Sequence, residues 1–202
     1  MSSFIDKIIY INLDKRTDRR SEIENELNNF NLNYERLSAI EHNNGAIGCL
    51  LSHIDALKLA KKQNCKNVLI LEDDFEFLIS KDEFNKKLNE FINLNIDYDV
   101  LFFSYSLVDS EVLDFTSLIG KVKCSITSSG YLVNHKYFDV LIDTFNYAVP
   151  LFKKTGQHWN YAIDTVWKEL QIIDNWYYFI NRIGRQRKSY SDICKRVVEH
   201  NV

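Results

Sequence analysis

Proline occurs once in this 202-residue chain and methionine once. The lone proline stands among abundant asparagine, isoleucine and lysine, a bias that fits AT-rich coding and is given no functional weight. No low-complexity tract, internal repeat or linker-like stretch interrupts the sequence. The four cysteines, Cys49, Cys65, Cys124 and Cys194, lack C-x-x-C spacing. That scatter argues against a zinc knuckle or a disulfide framework and for reduced thiols. An excess of basic charge is missing too. The net charge is −3, so no global field draws the chain to nucleic acid. No apolar run approaches the ~20 residues of a membrane span, and no signal-peptide pattern precedes the strand-like segment after Asp6. The expectation is a cytoplasmic protein without a membrane span or a nucleic-acid partner.

What is present is ordinary for a globular protein. Apolar residues make up 46% and charged residues 26% of the chain. The length suits one domain with a sizeable core.

The stretch that carries chemistry is Val68-Leu69-Ile70-Leu71-Glu72-Asp73-Asp74, an apolar run ending in consecutive carboxylates. Its aliphatic part reads as a strand buried on both faces. Side chains alternate along a strand, so Glu72 and Asp74 are expected on one side and Asp73 on the other. Two oxygen donors at the end of a parallel strand suit magnesium or manganese, which fill their remaining positions with water and phosphate oxygens. Ligands of open α/β sheets also gather at the carboxyl ends of strands. The stretch therefore reads as a site for a metal ion and a diphosphate.

Around it the chain alternates strands and helices. Strands are expected at Lys7–Leu13, Tyr34–Ala39, Val100–Tyr105, Lys121–Ser128, Tyr131–Val133 and, last, Trp176–Ile180. Thr17 or Asp18 is expected to cap a helix carrying Ile23, Leu27 and Phe30 at helical spacing. The clearest helix is Ala46–Lys62, with a stripe of Ile47, Leu50, Leu51, Ile54 and Leu57. Its second face carries Cys49, His53, Ala56 and Ala60. Further helices are expected over Asp82–Phe91, from a cap at Asn134 to about Phe145, over Ala162–Leu170, and near Asp192–Glu199. Residues 107–120 and Pro150–Gly156 read as loops. This order predicts an α/β domain with a mostly parallel sheet covered on both faces.

Three stretches resemble glycosyltransferase family 25, which includes lipo-oligosaccharide sugar transferases and procollagen galactosyltransferases. Asn12-Leu13-Asp14-Lys15-Arg16-Thr17-Asp18-Arg19-Arg20 is similar to the family's N-L-x-x-R-x-D-R-R. Gly45-Ala46-Ile47-Gly48-Cys49-Leu50-Leu51-Ser52-His53 is similar to its G-x-x-G-C-x-x-S-H. Leu71-Glu72-Asp73-Asp74 follows at the family's spacing. Weaker echoes are Gly130-Tyr131-Leu132-Val133, Ile163-Asp164, and Gln186 with Ser191-Asp192-Ile193.

The resemblance implies a GT-A fold, a Rossmann-like sheet that binds a nucleotide-sugar, usually UDP-linked, with manganese or magnesium. It also implies transfer with inversion, commonly of galactose or a related hexose, to a hydroxyl on a glycan or protein. Lipo-oligosaccharide, collagen-like hydroxylysine and another glycan stand as alternative acceptors. Residues 1–105 would bind the nucleotide-sugar and residues 106–202 would serve the acceptor. By the same analogy Asp74, Glu72 and Asp192 would hold the metal. Donor contacts would come from Asn12, Arg16, Arg19, Gly45, Ser52, His53, Glu72, Asp73 and Gln186.

Several roles also have a physical reading. A guanidinium forks onto phosphate oxygens, and Arg16 is the first choice among Arg16, Arg19 and Arg20. Gly45 and Gly48 bracket a helix start whose free amides favour anions. Asp73 would hold neighbouring backbone amides. Asp164 is the candidate general base, ahead of Asp143, Glu169 and Asp174; it follows a loop whose Trp159 and Tyr161 rings could stack on sugars. Arg182, Arg185, Arg187 and Lys188 would fold over the diphosphate as a lid. A phosphohydrolase or nucleotidyltransferase would add Asp, Lys or Ser/Thr elements at other strand ends, and no convincing set is found. The remaining alternative is a nucleotide-sugar or glycan-binding protein that kept the fold without turnover.

Overall fold

The computed structural model describes residues 4–198. The chain opens with β1 (Lys7–Asn12), α1 (Thr17–Asn29), β2 (Tyr34–Ser38), α2 (Gly45–Lys62), β3 (Asn67–Glu72), β4 (Phe75–Phe77) and α3 (Lys81–Asn93). Its middle holds β5 (Val100–Phe102), β6 (Leu107–Val112), β7 (Ile119–Ser125), β8 (Gly130–Asn134) and α4 (Phe138–Thr155). Three short helices follow, α5 (His158–Tyr161), α6 (Ile163–Val166) and α7 (Lys168–Ile173). The last elements are β9 (Trp176–Phe179), β10 (Gly184–Gln186), β11 (Ser189–Ser191) and β12 (Arg196–Val198).

Alternation along the central strands builds two cores from one sheet. Val68 and Ile70 of β3 join Ile9 and Ile11 of β1 on one face, packed against Leu50, Ile54 and Leu57 of α2 and Leu141, Phe145 and Phe152 of α4. Leu69 and Leu71 join Ile8 and Tyr10 on the other, against Ile23 and Leu27 of α1 and Phe84 and Phe91 of α3. Burial on both faces is why these strands are continuously apolar rather than alternating with polar residues. The sheet runs β2-β1-β3-β8-β5-β9-β7-β6. In it β1, β2, β3, β5, β6 and β9 point one way and β7 and β8 the other. This is the expected single α/β domain with helices on both faces. Among the described residues no helix is long and apolar enough to cross a membrane.

Several boundaries differ from expectation. Residues 107–120 include β6, an edge strand exposed along nearly its whole length. Its pairing with β7 leaves no buried face for the sequence to display. β5 ends at Phe102 rather than Tyr105. Helix α1 starts at Thr17 with Arg16 in the capping position, so neither Thr17 nor Asp18 is the cap. Asn134 does cap, but it caps a 3-10 turn, His135–Tyr137, that leads into α4.

Helix α4 then runs through Pro150 to Thr155. A proline inside a helix costs ~3 kcal/mol. Asn146, whose carbonyl loses its helical donor, is exposed to water. Beyond the proline, Phe152 is fully buried, and burying such a ring contributes roughly 1.5–3 kcal/mol. Gly156, at φ 69°, ends the helix in the left-handed region. The helix expected over Ala162–Leu170 is broken into α6 and α7. No helix forms over residues 192–198, which instead turn into β12, and Glu199 lies outside the described residues. Trp176–Phe179 is not the last strand, because β10, β11 and β12 follow it.

Candidate active site

The carboxyl ends of β1 and β3 lie side by side, with Ile11 paired to Glu72, and open into a cleft of about 620 Å³. Arg16, Arg19, Gly45, Ser52, His53, Glu72, Asp73, Asp74, Gln186 and Asp192 all line it. Asn12 and Asp164 do not belong to the wall.

The carboxylates do not alternate as expected, since β3 ends at Glu72 and the two aspartates stand in the turn after it. Glu72 faces α2 and the loop leading into β8: Ser128 Oγ donates to it from that loop and His53 Nε2 of α2 lies 3.4 Å away. Asp73 and Asp74 share one guanidinium instead: Arg19 Nη1 is 2.8 Å from Asp73 and 3.1 Å from Asp74. Backbone amides were expected on Asp73, but among the described residues it accepts from the side-chain amide of Asn12, at 2.7 Å. Asn12 is thus a buried positioning residue, tied also to the Arg16 carbonyl and to Arg36.

The electrostatics of this turn are unbalanced. Burial, and then the neighbouring Glu72 charge, push the Asp74 carboxyl up to about 7. Burial raises Asp73 as well, with Arg19 and Asn12 opposing. Burial works against the Glu72 charge too, but His53 and Ser128 outweigh it and hold that carboxyl below its ordinary value. Asp74 Oδ1 is buried without a hydrogen-bond partner among the described residues. Its other oxygen accepts from Gln186 Nε2 at 3.0 Å. A bare, buried carboxylate oxygen in a cleft with an excess of negative charge fits a hard divalent cation.

Gln186 arrives from the far end of the sequence because β10 pairs antiparallel with β4, setting Gln186 opposite Phe75. Only glycine serves at position 184, since a Cβ there would fall inside the Phe75 ring. The chain then folds over the cleft mouth as a strap. Arg16 donates to Asp192 at 2.6 Å and to the Tyr190 carbonyl at 3.1 Å, while Arg19 donates to the Tyr190 carbonyl at 2.9 Å. The expected basic lid is not what covers the site. Arg185 and Arg187 pair with Glu76, Arg187 reaches Glu22, and Arg182 stacks 4.6 Å over the Tyr105 ring.

The start of α2 serves packing more than anion binding. Asn44 accepts the amides of Ala46, Ile47 and Gly48, leaving fewer donors than the glycines suggested. Gly48 is required because a Cβ there would strike the Ile40 carbonyl. Ser52 locks the same junction, accepting from the Ile40 amide at 2.8 Å and donating to the Gly48 carbonyl at 2.7 Å. His53 is fully buried, with Nδ1 2.7 Å from the Tyr131 hydroxyl.

Asp164 sits at the start of α6, half-buried, its carboxyl raised by burial and then by Glu72. Asp174 is engaged by the Tyr137 hydroxyl at 2.6 Å. Trp159 is 62% exposed and therefore not core. Sequence reasoning missed Ser128 and Tyr131, whose hydroxyls orient Glu72 and His53. It placed Cys49 on the helix face of His53, one turn before it, but gave it no role; the i, i+4 spacing was the signal. Burial pushes the Cys49 thiol up, as do Glu72, Asp164 and Asp74.

The sequence matches the profile of glycosyltransferase family 25 (LPS biosynthesis protein) over residues 42–167. The match takes in Gly45–His53, Glu72–Asp74 and Asp164 and stops short of Asn12–Arg20 and Gln186. No curated protein matches the sequence. Among solved structures, the fold is similar to a glycosyltransferase involved in the glycosylation of the major capsid of PBCV-1. That similarity is at 13% identity, covering 92% of this chain and 93% of that one, with a TM-score of 0.58. A197 from STIV is 13% identical over 97% of this chain and 99% of that one, with a TM-score of 0.43. The profile covers well over half of the 202 residues, so the chain belongs to glycosyltransferase family 25.

Proposed function

We propose that this glycosyltransferase is metal-dependent and inverting, moving galactose or a related hexose from a UDP-sugar to a hydroxyl on a glycan or protein. The observation that carries the reading is the bare, buried Oδ1 of Asp74, in a cleft where Asp73 and Asp74 share one guanidinium and Glu72 stands beside them. Asp74 and Glu72 would hold manganese or magnesium there. Such an ion, when bound, stabilises negative charge on the departing UDP as a Lewis acid.

The chain's own residues supply the rest. Arg16 exchanges Asp192 for a diphosphate oxygen, a guanidinium trading one anion for another. Asp192, once released, would be free to contact the ribose or help hold the metal. Gln186 and Asn12 hold Asp74 and Asp73 in place, and the strap from Ser189 to Lys195 excludes water that would hydrolyse the donor. Asp164 takes the acceptor hydroxyl's proton as that oxygen bonds to the anomeric carbon and the bond to UDP breaks. A positioned base of this kind contributes about 10²–10⁴ in rate. The raised carboxyl of Asp164 supports that role, because a stronger base is a better proton acceptor. The exposed Trp159 ring supports an acceptor surface near it.

The test is UDP release from a panel of UDP-sugars with an acceptor, with and without manganese. Release should require the ion and vanish in Asp74→Ala. Metal-independent turnover, or an active Asp74→Ala, removes the assignment. Donor binding without any turnover would favour the binding-protein alternative.

A further inference from the structure

One side of the cleft carries a donor set of a different chemical character. Cys49 and His53 stand one turn apart on α2 and face Glu72 at the end of β3. A cysteine sulphur, an imidazole nitrogen and a carboxylate oxygen from these residues all lie within 4.8 Å of one another. His53 is fully buried, and its Nε2 has no hydrogen-bond partner among the described residues. That nitrogen lies 3.4 Å from Glu72 Oε1, long for a hydrogen bond. Two ligands held tetrahedrally at zinc distances of about 2.0–2.1 Å would be about 3.4 Å apart. The spacing is that of two ligands sharing an ion.

We propose that Cys49, His53 and Glu72 form a three-ligand site for a borderline-soft divalent cation, zinc foremost, with its fourth position open to the cleft. Sulphur and imidazole donors favour zinc, whereas magnesium and manganese favour oxygen, so Cys49 sets the preference. A thiolate and a carboxylate balance the ion's two charges, and the imidazole binds neutral. On binding, the Cys49 S–H bond breaks, its proton goes to solvent and a sulphur–metal bond forms. The outer contacts are built for it: the Tyr131 hydroxyl fixes the ring through Nδ1, and Ser128 fixes Glu72. Three protein ligands and one open position is the pattern of a reactive rather than a purely structural zinc site. This site shares Glu72 with the ion proposed at Asp74, so the two ions would compete for that carboxylate or be bridged by it. Cys49 and His53 belong to this site alone, and it stands whether or not the chain transfers a sugar.

The probe is cobalt alone, titrated into metal-free full-length chain. One equivalent should bind with a near-ultraviolet sulphur-to-cobalt charge-transfer band, and zinc should displace it. Cys49→Ala should abolish the band, Asp74→Asn should keep it, and Tyr131→Phe should weaken binding by about 10–100-fold. Zinc should also protect Cys49 from alkylation, read by mass spectrometry. His53→Ala should also abolish the band; should that variant fail to fold, the Cys49→Ala titration decides alone. A wild-type chain with no such band at saturating cobalt, or a band that persists in Cys49→Ala, overturns the site. Neither readout depends on turnover, so failure of the transferase reading leaves this one intact, and the reverse holds.

Discussion

Arg19 holds Asp74 at 3.1 Å with the same nitrogen that holds Asp73 at 2.8 Å, in a part of the cleft where all three side chains are nearly removed from water. One cation among three carboxylates makes Arg19 a structural counter-charge rather than a free donor ligand. Arg19→Ala strands two buried acids, and breaking a buried pair this way costs about 3–5 kcal/mol. Thermal melts should show that loss and its partial recovery with millimolar manganese, which substitutes for the missing charge. An unchanged melt would mean that the aspartates relax into solvent.

Gly48 separates packing from propensity. Gly48→Ala should gain up to ~1 kcal/mol of helix propensity. The new Cβ meets the Ile40 carbonyl, which is backbone held by Ser52 and cannot turn aside. Overpacking of that kind costs about 1–3 kcal/mol, so urea unfolding should show net destabilisation. Gly156→Ala has nothing among the described residues within 4 Å, so its cost should be only the strain of φ 69°. That strain is about 1–2 kcal/mol.

What the sequence displayed and what it hid divide by the range of the interactions. Val68–Leu71 was legible because burial on both faces makes a strand uniformly apolar, and the acids that follow mark its end. The orientation of Asp73 and Asp74 was not, since alternation stops where the strand does. Pro150 reads as a break locally, yet Ala148 before it and Phe152 beyond it are both buried and tertiary packing prevails. β10 is three residues long and exists through its pairing with β4, more than a hundred positions earlier. Segments that short have no periodicity to read. The basic run before the strap was therefore read as a lid, and Gln186 and Asp192 were assigned to the cleft only through motif resemblance.

Asp164 offers a pH test with a defined sign. Its folded carboxyl is raised by burial, then by Glu72, above the unfolded value of ~3.9. The native state therefore keeps that proton longer than the unfolded chain does. Ionisation costs stability, and the cost grows as pH rises through the unfolded value and levels off above the folded one. Asp164→Asn removes the cost. Denaturant melts should show the variant gaining on wild type between pH 3 and neutrality, with no gain at the acid end. The same substitution should lower transfer by about 10²–10⁴-fold and spare donor binding. A pH-independent stability difference would place the carboxyl in water, and full activity would move the base elsewhere.

The contact of Arg16 with Asp192 sets how firmly the strap closes. It is a partly exposed pair, 2.6 Å long, and pairs of that kind contribute about 0.2–1 kcal/mol. Ile193 of the strap stands over Gly45, its Cγ1 3.0 Å from where a Cβ there would be placed, so a side chain at that position would force it to shift. Asp192→Asn keeps the shape and removes the charge, so strap opening should rise by about 1.4- to five-fold, the equivalent of that energy at room temperature. Trypsin cuts after basic residues, and exposed Lys195 at φ 55° lies in the turn between β11 and β12. Cleavage there should accelerate by the same factor while the global melt stays put. The donor KM should rise in step if Asp192 acts only through closure. A KM rise beyond about ten-fold, with cleavage changed only about five-fold, would instead show Asp192 touching the donor directly, since a charged hydrogen bond contributes about 1.5–3 kcal/mol.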